Sequence, residues 1–459
     1  MMRPPAQITL AEWDRLHERS RAAGRREPAF GGPLGRHVQD GDVGLLRLRF
    51  DNSPAALDLW NFLLTEEQRL FAARAAGRAI VGTMKDLGTV PVMAYSLPGV
   101  TAFYPDGAWW IPCIMEREAG LLAIADSLGI GESFCPVRAM LGAFESGAHF
   151  PEPDLLTCSV GAVCDDFSAI AQRLEKLGRN ILWWQVPHRR PPDRGEAGVP
   201  LPGGLEAPLE QVALVRGELA RVRAALQELS GRELSDGDLR AGIRAANGIR
   251  AVLRELRETV FRAEIAPLPA LELLVAEMMA LHFCSDRDAA LEVLAGLLDE
   301  VRRRVAAGAG FGAPDAARVF WVNPVADLAV MNLLEECGGR ICGTEFLFTH
   351  ALDAIPRDLP PMEALARTAL SDPMVGPAAD RARRICADAR RFGAEAVLIS
   401  RIPGASHCAL EGTIIADVVA RELGLPTVEI EVPSVSNAVS PALVTRLTAL
   451  VETVRMRRS

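Results

Sequence analysis

The spacing of apolar residues predicts two kinds of element along the chain. Residues 8–80 carry apolar side chains at helical intervals, as in TLAEWDRLHERSRAAG and SPAALDLWNFLLTEEQRLFAARAAGRAIVG. From about Val90 the pattern changes to short apolar runs that alternate with helical periods. The sequence therefore predicts an N-terminal helical region followed by alternating strands and helices.

The first alternating run extends from about Val90 to residue 187. Strands are predicted at PVMAYSL, DLLTCSV and ILWWQVP. Helices are predicted between them at REAGLLAIADSLG, PVRAMLGAFESG and DDFSAIAQRLEKLG. This β-α-β-α-β order is typical of a mostly parallel sheet covered by helices.

A dense cluster of proline and glycine at 188–208, HRRPPDRGEAGVPLPGGLEAP, interrupts the run and predicts a surface excursion or linker. The next hundred residues have an almost purely helical period, as in LEQVALVRGELARVRAALQELSG and LEVLAGLLDEVRRRVAAG. We interpret them as a helical insert that packs on or between the sheet domains.

A second alternating run starts near Ala316. Its predicted strands are RVFWVNP, RICGTEF, AEAVLIS and PTVEIEVP, separated by helices with glycine near their C-terminal ends. The predicted fold is α/β, with two doubly wound, flavodoxin- or Rossmann-like parallel-sheet domains. The expected divisions are an N-terminal helical region (1–80), a first α/β domain (81–187), the excursion and helical segment (188–310) and a second α/β domain (311–459).

Composition and charge limit the classes of partner. The 459 residues are 49% hydrophobic and 24% charged, and the formal net charge is -9. A nucleic-acid or anionic-membrane surface is therefore not expected as the main partner. No apolar run is long enough to cross a bilayer, and the first twenty residues lack the apolar core of a signal peptide. A cytoplasmic location is expected.

Nine cysteines are an odd number, and the chain is long and lacks an export signal, so a disulfide framework is not expected. They are either scattered small core residues or thiolate ligands. Cys135, Cys164 and Cys408 each stand where a helix is predicted to begin, close to the carboxyl end of a strand. A helix N-terminus favours thiolate over thiol, so these three are candidate ligands of an iron–sulfur cluster in the cleft between the α/β domains.

Other candidate residues lie close to these positions. His407 adjoins Cys408 and is a candidate hydrogen-bond donor to cluster or substrate. Glu411 follows Cys408 by three residues, so a helix would place both on neighbouring faces, where the carboxylate is a candidate general base or iron anchor. Cys284, Cys337 and Cys386 lie within helical patterns and are expected to be structural. No phosphate-binding loop occurs, so any ATP hydrolysis is expected to belong to a partner.

Five segments of the chain resemble those of a known enzyme family: ESFCPVRAMLGA, DLLTCSVGAVCDD, RIPGASHCALEG, PTVEIEVP and TRLTALVET. In order and setting they are similar to the 2-hydroxyacyl-CoA dehydratase/benzoyl-CoA reductase family, and the chain resembles its D-component-like iron–sulfur subunit. The resemblance covers most of the chain from about residue 90, apart from the excursion and parts of the helical insert.

The resemblance implies a [4Fe–4S] cluster bound by Cys135, Cys164 and Cys408, with one iron left open. It also implies a dimer, with a related sister subunit or with a second copy, and an ATP-hydrolysing activator that donates single low-potential electrons. The electron generates a radical on an acyl-CoA thioester. Water is then lost from a 2-hydroxyacyl-CoA, or an aromatic ring is reduced.

Two departures from the family pattern keep alternatives open. SHCALEG stands where dehydratases have a cysteine followed by Asp-Pro, and VPVMAYSLPGVTAFYPDGAWWIPCIM matches their early strand and loop poorly. One alternative is a double-cubane reductase of small molecules, with Cys113, Cys158 and Cys342 as further candidate ligands. The other is a catalytically silent α/β scaffold whose cysteines only pack.

Overall fold

The computed structural model describes residues 4–27, 29–39, 43–107, 120–147, 149–432 and 440–459. It contains two four-stranded sheets in which every neighbouring pair of strands is parallel. The first sheet has the spatial order Val100–Phe103, Ala79–Met84, Leu155–Gly161 and Ile181–Val186. The second has the order Gly339–Glu345, Ala317–Val322, Ala396–Arg401 and Thr427–Glu431. The predicted α/β class with two doubly wound parallel sheets is confirmed.

The two sheets share one strand order. When the strands of each sheet are counted along the chain, the spatial order is second, first, third, fourth in both. The chain therefore reverses its direction of travel across the sheet between the first and third strands. In doubly wound folds ligands bind at this point, outside the carboxyl ends of the strands.

Helices cover both sheets. Those of the N-terminal and first α/β regions are Leu10–Ala22, Gly35–Gln39, Pro54–Leu64, Glu66–Ala75, Val90–Tyr95, Leu121–Ser127, Ala139–Ser146 and Asp165–Lys176. Those of the second α/β region are Ala329–Glu336, Pro361–Leu370, Ala378–Arg391, Ser406–Leu410, Gly412–Leu423 and Pro441–Arg458. Side-chain caps define several of the starts; Thr9 and Ser235, for example, each form a reciprocal capping box with an acidic residue three positions on.

The predicted helical segment consists of Leu209–Ser230, Asp236–Arg262, Ala270–His282 and Arg287–Ala306. Ala270–His282 is buried at every position, because its sequence ALELLVAEMMALH is apolar on nearly all sides. It packs on Pro54–Leu64 and on Ala329–Glu336, so it joins the N-terminal region to the second sheet. The excursion at 188–208 contains a two-stranded antiparallel ribbon, Gly198–Leu201 with Leu205–Pro208.

The first strand of the first sheet differs from the sequence prediction. PVMAYSL was expected to form a strand, but Val90–Tyr95 is a helix and the strand is Ala79–Met84. The Asp86 carboxylate accepts the backbone N–H groups of Thr89 and Val90 at 3.1 and 2.5 Å and so fixes the helix start. A strand buried on both faces shows no alternation, so AIVGTM was not distinguishable from the helical period before it.

Among the described residues, no helix combines the length and apolar character required to span a membrane. The domain limits at residues 80, 187 and 310 stay a prediction. Cys164 and Cys408 follow the strands Leu155–Gly161 and Ala396–Arg401, as expected. The strand expected before Cys135 is wrong, because the described element that precedes it is the helix Leu121–Ser127.

Candidate functional site

Three cysteines from three separate segments line one cavity of about 120 Å³. Cys135 precedes the 3-10 turn Pro136–Arg138, and Cys164 immediately precedes the helix Asp165–Lys176. Cys408 lies inside the short helix Ser406–Leu410. In the part of the chain that the structure describes, no other cysteine lines this cavity.

The loop that carries Cys408 touches the loop that carries Cys135. Gly404 has a φ of 80°, and a Cβ on it would lie 2.5 Å from the carbonyl oxygen of Phe134 and 3.1 Å from that of Glu132. Only glycine permits both this backbone conformation and this approach. The sequence RIPGAS therefore has a structural reason for its glycine, which is to bring two cysteine segments together.

Asp166 connects all three cysteine segments. Its Oδ1 accepts the backbone N–H of Cys135 at 3.2 Å. Its Oδ2 accepts the thiol of Cys164 at 3.2 Å and the backbone N–H of Ser406 at 3.4 Å. The sequence marks Asp166 only as a helix-start residue, since an acidic residue in the first turn is common there. Its role in holding the site depends on long-range contacts.

Burial determines the protonation of the three thiols. It raises the pKa of Cys135 well above its ordinary value and that of Cys408 to about 12. Burial also raises the pKa of Cys164, although the Lys85 ammonium opposes the change. The helix N-termini alone do not lower these pKa values, because the desolvation of a buried charge outweighs the helix dipole. Metal binding would have to displace their protons.

His407 and Glu411 form a pair, but only His407 lines the cavity. His407 Nδ1 lies 3.0 Å from Glu411 Oε1, and Arg381 Nη1 donates to Glu411 Oε2 at 2.8 Å. Burial alone would raise the pKa of Glu411, but its bonds to His407 and Arg381 hold that pKa below its ordinary value. Both carboxylate oxygens thus have a hydrogen-bond partner, one of them the Arg381 guanidinium, which argues against the use of Glu411 as a free general base.

Arg381 is the centre of a buried polar network that sequence reasoning missed. Its Nε donates to Glu345 Oε2 at 2.6 Å, and its Nη2 donates to Asn323 Oδ1. Asn323 in turn donates to the carbonyl oxygens of Ser400 at 2.8 Å and Cys408 at 3.4 Å. The network ties the end of the first strand of the second sheet to the helix that carries Cys408.

The remaining wall of the cavity carries charged and aromatic groups from the first sheet, among them Lys85, Asp86, Tyr104 and Asp106. Burial raises the pKa of Asp106 to about 6, and its Oδ1 has no hydrogen-bond partner. The Tyr104 hydroxyl is also buried without a partner. Such unsatisfied groups are uncommon in folded proteins and point to a polar occupant of the cavity.

The other cysteines differ from the three in position. Cys158 and Cys342 are buried within strands Leu155–Gly161 and Gly339–Glu345 and do not line the cavity. Cys113 lies outside the described residues. The described part of the chain therefore offers three thiols, rather than a larger set, to one occupant.

The donor set suits a cluster better than a single ion. Among the described residues, no group of three or more His, Cys, Asp or Glu side chains is placed to hold one metal ion. A four-iron cluster makes a different demand, since each cysteine ligates a different iron and the sulfur atoms surround the group. Three thiols around one cavity meet that demand.

A second, larger cleft of about 900 Å³ shares no lining residue with the cavity among the described residues. The segment 346–350 contributes to both, since Phe346 and Phe348 line the cavity and Thr349 and His350 line the cleft. Arginines and carboxylates line the cleft together, and several pair with each other: Arg189 with Asp380, Arg384 with Asp353, and Arg391 with Glu258.

The chain matches the model of a known family. A family model described as 2-hydroxyglutaryl-CoA dehydratase, D-component, matches residues 100–454, about three quarters of the chain. The matched range contains the three cavity cysteines, His407 and Glu411. No curated protein matches the chain.

Proposed function

Because the chain belongs to the family of the 2-hydroxyglutaryl-CoA dehydratase D-component, we propose that it is the iron–sulfur subunit of an ATP-activated radical enzyme acting on acyl-CoA thioesters. The observation that carries the proposal is the convergence of Cys135, Cys164 and Cys408 on one cavity. The dehydratase description of the family favours loss of water from a 2-hydroxyacyl-CoA over reduction of an aromatic ring.

In this proposal Cys135, Cys164 and Cys408 hold a [4Fe–4S] cluster, with one iron free for a ligand other than cysteine. The cluster would supply low-potential single-electron transfer. The chain's own contribution is to hold the three thiols in place, through the Asp166 carboxylate and the close approach of Gly404 to Phe134.

His407 and Glu411 receive different roles. We assign to His407 a hydrogen bond to the occupant of the cavity, which it lines. We assign to Glu411 the positioning of His407, because its Oε1 lies 3.0 Å from His407 Nδ1 while Arg381 holds its other oxygen. A partner that fixes one ring nitrogen of a histidine also fixes the tautomer and the direction of the other.

The cavity limits which part of a substrate enters. About 120 Å³ is well below the roughly 300–1,000 Å³ of typical ligand pockets, so beside a cluster the cavity would admit at most the thioester end of a substrate. The cleft of about 900 Å³, which the same segment 346–350 helps to line, is large enough for the remainder of the coenzyme. Electrons would come from an ATP-hydrolysing activator, and a sister subunit or a second copy would complete the dimer.

Anaerobic purification followed by iron, sulfide and visible-spectrum analysis tests the proposal. About four irons per chain support a single cluster and lead to a dehydration assay with 2-hydroxyacyl-CoA and an activator. Roughly eight irons would instead indicate the double-cubane reductase. A folded protein without iron would contradict the proposal and would favour the alternative of a catalytically silent α/β scaffold.

A further inference from the structure

The chain contains only two lysines, and one of them lines the thiol cavity. Of its 50 lysines and arginines, 48 are arginine; the lysines are Lys85 and Lys176. Lys176 is exposed at the end of the helix Asp165–Lys176. Lys85 is 5% exposed and lies on the cavity wall. In a chain that uses arginine for nearly all of its cations, a buried lysine indicates a site that takes a compact ammonium group.

Among the described residues, no carboxylate lies within ion-pair distance of the Lys85 ammonium. Its nitrogen has one hydrogen bond, to the sulfur of Met374 at 2.8 Å, and lies 5.9 Å from the centre of the Phe167 ring. A thioether is a weak acceptor, so this contact compensates little of the cost of burying a cation. The Asp106 carboxylate on the same wall interacts with the Lys85 charge only beyond ion-pair distance. The direct partner of the ammonium is therefore expected to be an anion held in the cavity.

The backbone holds Lys85 in place. Its φ is 56°, an uncommon conformation for a residue with a side chain, and Ser159 Oγ donates a hydrogen bond to its carbonyl oxygen. Strained positions of this kind persist where surrounding contacts over-determine them, and they cluster at functional sites. Lys85 follows the first strand of its sheet directly, at the point where ligands bind in doubly wound folds.

No other lysine or arginine among the described residues lines the cavity. Asp86 also lines it, but that carboxylate is occupied by Thr89 and by the N–H of Val90. Lys85 is therefore the one permanent cation that the described wall presents to an occupant. It also precedes residues 100–454, the range that the family model covers, so the match does not account for it.

We propose that Lys85 is the counter-charge for the thiolate-bound iron–sulfur group and that it raises the reduction potential of that group. The inference rests on the proposed function. Thiolate ligation makes the group negative, and an added electron makes it more so; a nearby fixed cation therefore stabilises the reduced form more than the oxidised form. Removing the cation should make reduction harder.

The test compares Lys85→Met, Lys85→Arg and Lys176→Met, purified anaerobically without substrate. Methionine retains an unbranched chain of similar length and removes the charge, whereas arginine retains the charge. Iron per chain, circular dichroism and the midpoint potential from a mediated titration followed by electron paramagnetic resonance are measured for each. Because no acyl-CoA is present, a change in the midpoint potential measures the effect of the Lys85 charge on the iron–sulfur group. Binding of a substrate oxygen cannot contribute to it.

At wild-type iron content, Lys85→Met should have a lower midpoint potential, Lys85→Arg a potential near wild type, and Lys176→Met no change. If folded Lys85→Met takes up no iron but Lys85→Arg does, the charge is needed for uptake, which also supports the inference.

An unchanged potential in fully loaded Lys85→Met would overturn the inference and leave the proposed function intact. Loss of iron from both Lys85 variants would overturn it as well, since shape and not charge would then be required. A wild-type protein without iron would overturn both proposals.

Discussion

Lys85 and Asn323 occupy equivalent positions in the two sheets. Each is the first residue after the first strand of its sheet, and each has a positive φ, 56° for Lys85 and 67° for Asn323. In both sheets the strand order reverses at this strand. Left-handed backbone costs a non-glycine residue on the order of 1–2 kcal/mol, so its occurrence at both points indicates that the same local design serves both sides of the cavity.

Substitution of Asn323 separates backbone strain from hydrogen bonding. Asn323→Gly tolerates the positive φ but loses the bonds to the carbonyls of Ser400 and Cys408 and the bond from Arg381. We expect it to lower the free energy of unfolding by about 1–3 kcal/mol. Asn323→Ala should cost about 1 kcal/mol more, because it adds strain. Urea unfolding measures both, and an alanine variant as stable as the glycine variant would argue against the strained backbone.

The buried ion pairs of Arg381 should dominate the stability of the second sheet. Arg381→Met leaves Glu345 and Glu411 without their cation, and we expect a loss of about 3–5 kcal/mol in the free energy of unfolding. Arg383→Met is the matched control, since Arg383 lies on the same helix with its side chain 65% exposed. That change should stay within about 0.5 kcal/mol. Equal losses in the two variants, measured in urea, would contradict the network.

The close approach of Gly404 to Phe134 should affect both the free energy of unfolding and the iron content of the site. Gly404→Ala places a Cβ against the Phe134 carbonyl, so it should both destabilise the protein and lower its iron content by moving the Cys135 and Cys408 loops apart. Gly424→Ala is the control: its φ is also positive, but nothing lies within 4 Å of the added carbon. It should cost on the order of 1 kcal/mol and leave the iron content unchanged. Full iron in Gly404→Ala would show that this approach is not needed.

Glu272 should make stability depend on pH. Burial raises its pKa to about 8, and the nearby Asp51 carboxylate adds to the shift. Because the folded pKa lies above the unfolded one, near 4.5, the folded protein holds this proton more tightly. The contribution of this proton to the free energy of unfolding is fully present below about pH 4.5 and is lost as the pH rises towards 8.

Glu272→Gln should remove this dependence. The amide oxygen still accepts from the Asp51 N–H and the Trp60 indole N–H, which lie 2.9 and 3.1 Å from Oε1. Between pH 5 and pH 8 the variant should gain stability relative to wild type, by up to about 1.4 kcal/mol per pH unit. Urea unfolding at several pH values gives the difference. A difference that is the same at every pH would refute the shifted carboxyl.

The order of the elements from Leu155 onward, and the setting of Cys164 and Cys408, were predictable from local patterns. Parallel sheets produce alternating strands and helices, and Cys164 and Cys408 stand in strand-to-helix turns. The strand Ala79–Met84 was not predictable, because a fully buried strand lacks the alternation that identifies it.

The residues that hold the site together could not be found from sequence. The helix Ala378–Arg391 contains five arginines between residues 381 and 391, and nothing local distinguishes Arg381 from its exposed neighbours. Its partners Glu345 and Asn323 lie 36 and 58 residues away. Lys85 alone carried a compositional signal, as one of two lysines, but its burial beside the thiols depends on the fold.

Iron content in single cysteine variants tests the central claim most directly. Wild type, Cys135→Ser, Cys164→Ser and Cys408→Ser are purified anaerobically, with Cys158→Ser and Cys342→Ser as buried cysteine controls outside the cavity. The account predicts about four irons per chain in wild type and in both controls, and a marked loss in each of the three cavity variants. Full iron in any cavity variant, or loss confined to the controls, would contradict it.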